Sequence, residues 1–368
     1  MDRRENTQTK LRELLVGASA YLVRSTTPNG KYVYRYDASS GRLAPGYNNV
    51  RHAGTLWSMA LVQRSLPHQH QVELSVISSA EYLQSCMRVP ADLQRCVISD
   101  GGIEKVGATA LSALAFCELA GGIIDSKYFS IAVTLGRRLL ALQGSSGLFF
   151  PHKQRYSSGE IIPFSSAYYD SEASLALLKL YRFSNDAVWL DAAKLSIEAL
   201  VDYQSKLPAQ NQPHDHWLLY ALREMDEALP SDRWKDHSRK IAQSIVSYQN
   251  TGHCDTSVIG SYGPEPRSTT TAVRTEGLCA AYSLLRKVES APVLKSIIDA
   301  IVLGLGYQHR TYISAQTSLV THDPLRSHGG FRRDLDCWLI QIDCVQHNML
   351  SILGALAVLT DDNVPQDS

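Results

Sequence analysis

Six short clusters of polar, titratable and aromatic residues recur along the chain, each at the head of an apolar run. In order they are Arg51-His52-Ala53-Gly54-Thr55 with Trp57, Gly107-Ala108-Thr109, Tyr168-Tyr169-Asp170-Ser171-Glu172, His214-Asp215-His216-Trp217, Arg274-Thr275-Glu276-Gly277 and Asp343-Cys344-Val345-Gln346-His347. Scattered surface polarity would not return at equivalent positions, so a shared cavity is the economical reading. Asp343, Gln346 and His347 stand at i, i+3 and i+4, on one helix face, where a carboxylate can orient or charge an imidazole. Glu172 follows Tyr168 and Tyr169 by four and three residues and shares a face with both, which makes Glu172 and a tyrosine an acid/base pair. Glu172, Tyr169, Asp343 and His347 are therefore the catalytic candidates. The plainer alternative is that Asp343 and His347 form a structural pair closing the fold.

Around them stand candidate substrate-binding residues. Arg274 and Glu276 are two apart and cannot share a helix face well; an arginine there suits a carboxylate or phosphate, or else serves an ion pair. His52 shares a face with Thr55, and His214 with Trp217, with Asp215 between them. Asp170 is also placed to favour a helix dipole. Trp217, Tyr168 and Tyr169 offer flat surfaces for a sugar ring, whereas Trp57 reads as core. Arg51 and Gln346 complete the clusters; Asp37, after Tyr36, and Arg332, after Gly329-Gly330-Phe331, are loop candidates. His253-Cys254-Asp255 and His322-Asp323 lack metal-ligand spacing, and no P-loop, GxGxxG or GxSxG phrase occurs, so neither a metal nor a cofactor is expected.

The elements that must position these residues alternate strictly. Amphipathic segments at about 8–25, 68–88, 125–143, 185–205, 232–249 and 291–308 read as helices with one face in water. Between them, segments at about 51–65, 107–120, 167–182, 214–228, 272–287 and 341–360 are rich in Ala, Gly, Ser and Leu on every side and read as helices buried all round. Links from inner to outer helix are short, while most links from outer to inner are long and carry Gly, Pro and aromatics. Six such hairpins predict an all-α, (α/α)6 toroid: one domain over 1–368, with its core at about 8–360 and a polar tail at 361–368. Inner-helix N-termini and long loops then gather at one end, where unpaired N–H groups favour an anionic or hydroxyl-rich ligand.

Composition narrows the class. Across 368 residues, 36 Lys and Arg balance 36 Asp and Glu, so nothing draws the whole chain toward nucleic acid or an anionic membrane. Hydrophobic residues at 44% and charged residues at 20% predict a compact fold and exclude disorder. The polar start carries no leader pattern and no apolar stretch reads as a membrane span. Seven cysteines, odd in number and without a CxxC pair, read as reduced thiols of a cytoplasmic protein.

The pattern resembles the six-hairpin (α/α)6 toroid superfamily, which includes many glycosidases, the N-acylglucosamine epimerases and the catalytic domain of D-glucuronyl carbon-5 epimerases. The phrases Arg51-His52-Ala53-Gly54-Thr55, Tyr168 to Ala173, Asp215 to Leu218, Arg274 to Gly277 and Ile342 to His347 carry it, over about residues 8–360. It implies a central funnel at the inner-helix N-termini, with carboxylate, tyrosine or histidine acid/base groups and aromatic platforms for a saccharide. The function expected is carbohydrate-active: a hydrolase, lyase or epimerase acting on a saccharide or uronic-acid-containing glycan. Two alternatives stay open: a non-catalytic toroid that binds a small molecule or a biosynthetic partner protein, and a metal-assisted cyclase or lyase. Terpene cyclases fit less well, since Asp334-Leu335-Asp336 lacks their longer acidic motif.

Overall fold

The computed structural model describes residues 3–66, 69–88, 96–122, 126–252 and 255–360. His253, Cys254 and the 361–368 tail lie outside the described residues.

Among the described residues twelve long helices alternate between two rings. The outer set is α1 (Arg3–Ser25), α3 (His70–Ser85), α5 (Lys127–Leu142), α7 (Ala187–Gln204), α9 (Asp232–Ser247) and α11 (Ala291–Thr311). The inner set is α2 (Asn49–Ser65), α4 (Val106–Ala120), α6 (Tyr169–Ser184), α8 (His216–Ala228), α10 (Ser268–Leu285) and α14 (Ile342–Leu359); α12 (Ala315–Ser318) and α13 (Pro324–Ser327) are single turns in the last long loop. Along the inner ring α2 packs on α4, α4 on α6, α6 on α8, α8 on α10, α10 on α14 and α14 back on α2, which closes the toroid.

Residue size explains which helices go inside. In α4 all residues but Leu119 are buried, and its Ala, Gly and Ser positions let neighbouring helices approach closely. Outer helices bury a single stripe, as α9 does with Trp234, His237, Ile241 and Ile245. The prediction that no segment suits a membrane meets one qualification. Among the described helices α14 is long and apolar enough to span one, but 67% of it is buried inside the ring.

The long loops hold short strands that helical periodicity does not reveal. β1 (Arg35–Asp37) pairs antiparallel with β6 (Leu339–Gln341), with Tyr36 opposite Ile340, so the first and last long loops are tied together. β2 (Met87–Arg88), β3 (Val97–Asp100), β4 (Ile103–Lys105) and β5 (Lys153–Arg155) form a second sheet in that order. Inner helices begin within two residues of their expected starts, except α10, which begins at Ser268 instead of near 272. Arg274 and Glu276 are therefore the seventh and ninth residues of α10, beyond its first turn.

Candidate functional site

Where α8, α10 and α14 meet, three buried side chains converge. His347 Nδ1 and Glu276 Oε1 are 2.8 Å apart, so the imidazole donates to the carboxylate. His216, the first residue of α8, packs edge-on to His347 with ring centroids 5.3 Å apart. It is 2% exposed and neither of its ring nitrogens has a hydrogen-bond partner. The ligating atoms of His216, Glu276 and His347 all lie within 4.8 Å of one another, the spacing that a metal ion would also use. Tyr220, one turn beyond His216, donates to the other Glu276 oxygen at 3.5 Å.

The environment drives the two imidazoles apart. Burial pulls His216 well below the ordinary imidazole value, and the charges of His347 and Arg274 push it further down. Burial also acts downward on His347, but the adjacent Glu276 carboxylate, with help from Asp343, more than reverses this and holds it raised. His216 is thus kept as the free base, while His347 holds its proton to higher pH than an ordinary imidazole, a division of labour that suits acid/base chemistry.

Aromatic rings line the same place. Trp217 lies 4.8 Å from His216 and 6.4 Å from His347, and Trp57 packs on Trp217 at 5.5 Å. Trp57 is buried, as expected of core, yet its Nε1–H has no partner. Tyr168 is 41% exposed, with its ring 5.8 Å from His216.

Asp343 does not hold His347, although both stand on one helix face. Its carboxylate takes Arg51 Nε at 2.8 Å, while Arg51 Nη1 donates to Tyr34 Oη at 2.6 Å. That pair joins α14 to α2 beside the histidines. Gln346 fills the space over Gly54, where a Cβ would come within 2.6 Å of its amide nitrogen. Arg274 Nε donates to His214 Nδ1 at 2.8 Å, and the His214 Nε2–H donates to Ser244 Oγ at 3.1 Å. Burial, then the Arg274 charge, depresses His214 to about 4, so it is a neutral support for the guanidinium.

Glu172 is buried beside Tyr169, and both crowd Gly107, where a Cβ would lie 2.3 Å from the Tyr169 ring and 2.6 Å from Glu172 Oε2. Glu172 Oε2 has no hydrogen-bond partner, and burial, then Asp215, raises the carboxyl well above its usual range. Asp215 caps α8 through Leu218 N–H and accepts from Ser171 Oγ at 2.6 Å; burial lifts it to about 7 against those bonds. Asp170 accepts from Phe149 N–H at 2.8 Å and faces His152 at 3.4 Å.

Three further residues have local structural partners. His52 accepts from Tyr47 Oη at 2.7 Å and donates to the Ser79 carbonyl at 2.9 Å, toward the outer ring. Asp37 accepts from Ser39 and Ser40 within its own turn. Arg332 lies over Trp338 and donates to the Leu335 and Arg310 carbonyls. Sequence reasoning did not select His216 or Tyr220 and placed Glu276 apart from His347. The i, i+4 spacing of His216 and Tyr220 was a usable signal, but the Glu276–His347 contact joins two helices and leaves none.

A groove of about 1000 Å³ between α1 and α11 shares no residue with this cluster. The unpartnered buried imidazole marks the cluster more strongly than groove size marks the groove.

No family model and no curated protein matches the chain. Solved structures do. The chain superimposes on cellobiose 2-epimerase from Bacillus thermoamylovorans with a TM-score of 0.73 at 13% identity, over 96% of this chain and 100% of that one. D-mannose isomerase matches with a TM-score of 0.71 at 14% identity, over 95% and 97%. The GH76A α-1,6-mannanase of Salegentibacter sp. matches with a TM-score of 0.66 at 10% identity, over 95% and 99%. The fold is the six-hairpin (α/α)6 toroid.

Proposed function

We propose that this toroid is a carbohydrate-active enzyme of the epimerase or isomerase type, moving a proton at a sugar carbon. The observation that carries the reading is the pair of imidazoles packed edge-on, one without a hydrogen-bond partner and one donating to the Glu276 carboxylate. His216 takes the proton from the carbon next to a carbonyl of the open-chain sugar, and His347 donates to the developing oxyanion or returns a proton to carbon. Glu276 positions and charges His347. Trp217 supplies an apolar face for the sugar, and the Arg51–Asp343 pair offers groups for hydroxyl recognition. Sugar-epimerising and sugar-isomerising enzymes among the structural neighbours support the reading at the level of fold.

A glycosidase needs two carboxyl groups free to face a bound ring. Both Asp215 oxygens are already in use, by Ser171 Oγ and Leu218 N–H, so the Asp215–Glu172 pair suits hydrolysis less well. A second reading rests on the two-histidine, one-carboxylate spacing, which a divalent ion can occupy.

The test uses purified enzyme with a panel of aldoses, uronates and disaccharides, followed by NMR. Wild type should isomerise or epimerise a panel member, with H216N and H347N both inactive while folded and chelator without effect. Full activity in either variant overturns the assignment; loss on chelation, restored by a metal, favours the second reading.

A further inference from the structure

Two of the cationic side chains around the histidines have a carboxylate partner. His347 has Glu276 and Arg51 has Asp343. Arg274, partly buried on α10, has no carboxylate partner among the described residues. Its Nε donates to the neutral His214 and its Nη1 to the Thr270 carbonyl at 3.0 Å, which leaves Nη2 without a protein acceptor. Its remaining neighbours are aromatic: the guanidinium carbon lies 5.3 Å from the Tyr262 ring and 5.6 Å from the Tyr248 ring. The Tyr262 side chain is 2% exposed and its hydroxyl has no hydrogen-bond partner. A guanidinium withdrawn from water without an anion is costly, and the tyrosines return little of its hydration. The aromatic contacts and the His214 bond also hold the planar group in one orientation, which reduces what is lost on ordering it around a ligand.

The position connects this charge to the histidines. His214, which orients Arg274, lies two residues before His216. Tyr168, which senses the Arg274 charge, also packs against His216 and is open to solvent.

We propose that Arg274 is an anion subsite that binds an acidic substituent of the substrate, so that the sugar handled by His216 and His347 carries a carboxylate. This rests on the proton-transfer reading above and adds the substrate class to it. One free guanidinium edge with neighbouring tyrosine hydroxyls matches a singly charged group. A phosphate dianion would call for a second cation, and among the described residues none without a carboxylate stands beside Arg274. The acidic end is held at Arg274 while the opposite part of the open-chain sugar lies against the imidazole pair.

The test is calorimetric binding to wild type, H216N, R274K and R274Q, with D-mannuronate and D-glucuronate set against D-mannose and D-glucose, and mannose 6-phosphate as the dianionic arm. Wild type and H216N should bind a uronate at least about tenfold more tightly than its neutral parent. The preference should weaken in R274K, vanish in R274Q and shrink as salt rises. Because the preference is measured in wild type first, a poorly folded variant does not hide the answer. Equal affinity for uronates and neutral sugars, preference for the phosphate, or binding of none of the acidic sugars overturns the proposal, as does an undiminished preference in folded R274Q. Uronate binding that depends on Arg274 without any carbon-bound proton exchange would leave the subsite standing and remove the proton-transfer reading instead.

Discussion

Replacing Glu276 with glutamine keeps the side-chain shape and an acceptor for the His347 Nδ1–H, but removes the charge. At 2.8 Å two opposite charges attract by about 6 kcal/mol with an effective dielectric constant near 20, a gross figure reduced by the hydration both groups surrender. Because the hydrogen bond survives, the stability change should be only about 1–3 kcal/mol. The catalytic change should be larger, since burial alone pulls His347 downward and the carboxylate is what raises it. E276Q should thus lose this stabilisation of the protonated imidazole and lower kcat by about 100- to 10,000-fold, the usual worth of a positioned acid or base. The sign for pH follows. A raised His347 keeps its proton to higher pH, so wild type should stay active toward alkaline pH, and the alkaline limb of the E276Q profile should move to lower pH. Steady-state kcat across pH 5 to 10, with denaturant unfolding of both proteins, measures both effects. An E276Q enzyme with wild-type kcat and an unmoved alkaline limb would refute the reasoning.

Two further substitutions probe the surroundings. G107A should destabilise the protein by about 1–3 kcal/mol in urea unfolding, because the new methyl collides with the Tyr169 ring and Glu172. D215N should separate stability from charge: a carboxyl raised to about 7 contributes stability that is full below the unfolded value of 3.8 and lost as pH rises through 7. Asparagine still caps α8, so D215N should gain relative to wild type between pH 4 and 7; a constant difference across that window in thermal unfolding would contradict the assigned shift.

The toroid was legible because helix burial is written into composition. Segments such as Val106–Ala120, apolar all round, can only lie inside, while the striped α9 can only lie outside. The clusters head the inner helices and so gather at one end of the ring. What spacing could not reveal was pairing between helices. Asp343 and His347 share a face of α14, yet each finds its partner on a different neighbour, Arg51 on α2 and Glu276 on α10. His52 and His214 look like His216 in sequence, but both have their ring nitrogens occupied, and only the three-dimensional surroundings leave His216 free. The β1–β6 pairing was hidden because three-residue strands lie below the length at which alternation can be read.

The central claim is that His216 and His347 move a proton at carbon, and solvent exchange measures this without waiting for net conversion. Wild-type protein incubated in deuterium oxide with the sugar it binds most tightly should place deuterium at the carbon next to the carbonyl, seen as loss of that proton signal by NMR. H216N and H347N should incorporate none while still binding the sugar. Turnover of the sugar with no deuterium incorporated, or incorporation undiminished in both variants, would contradict it.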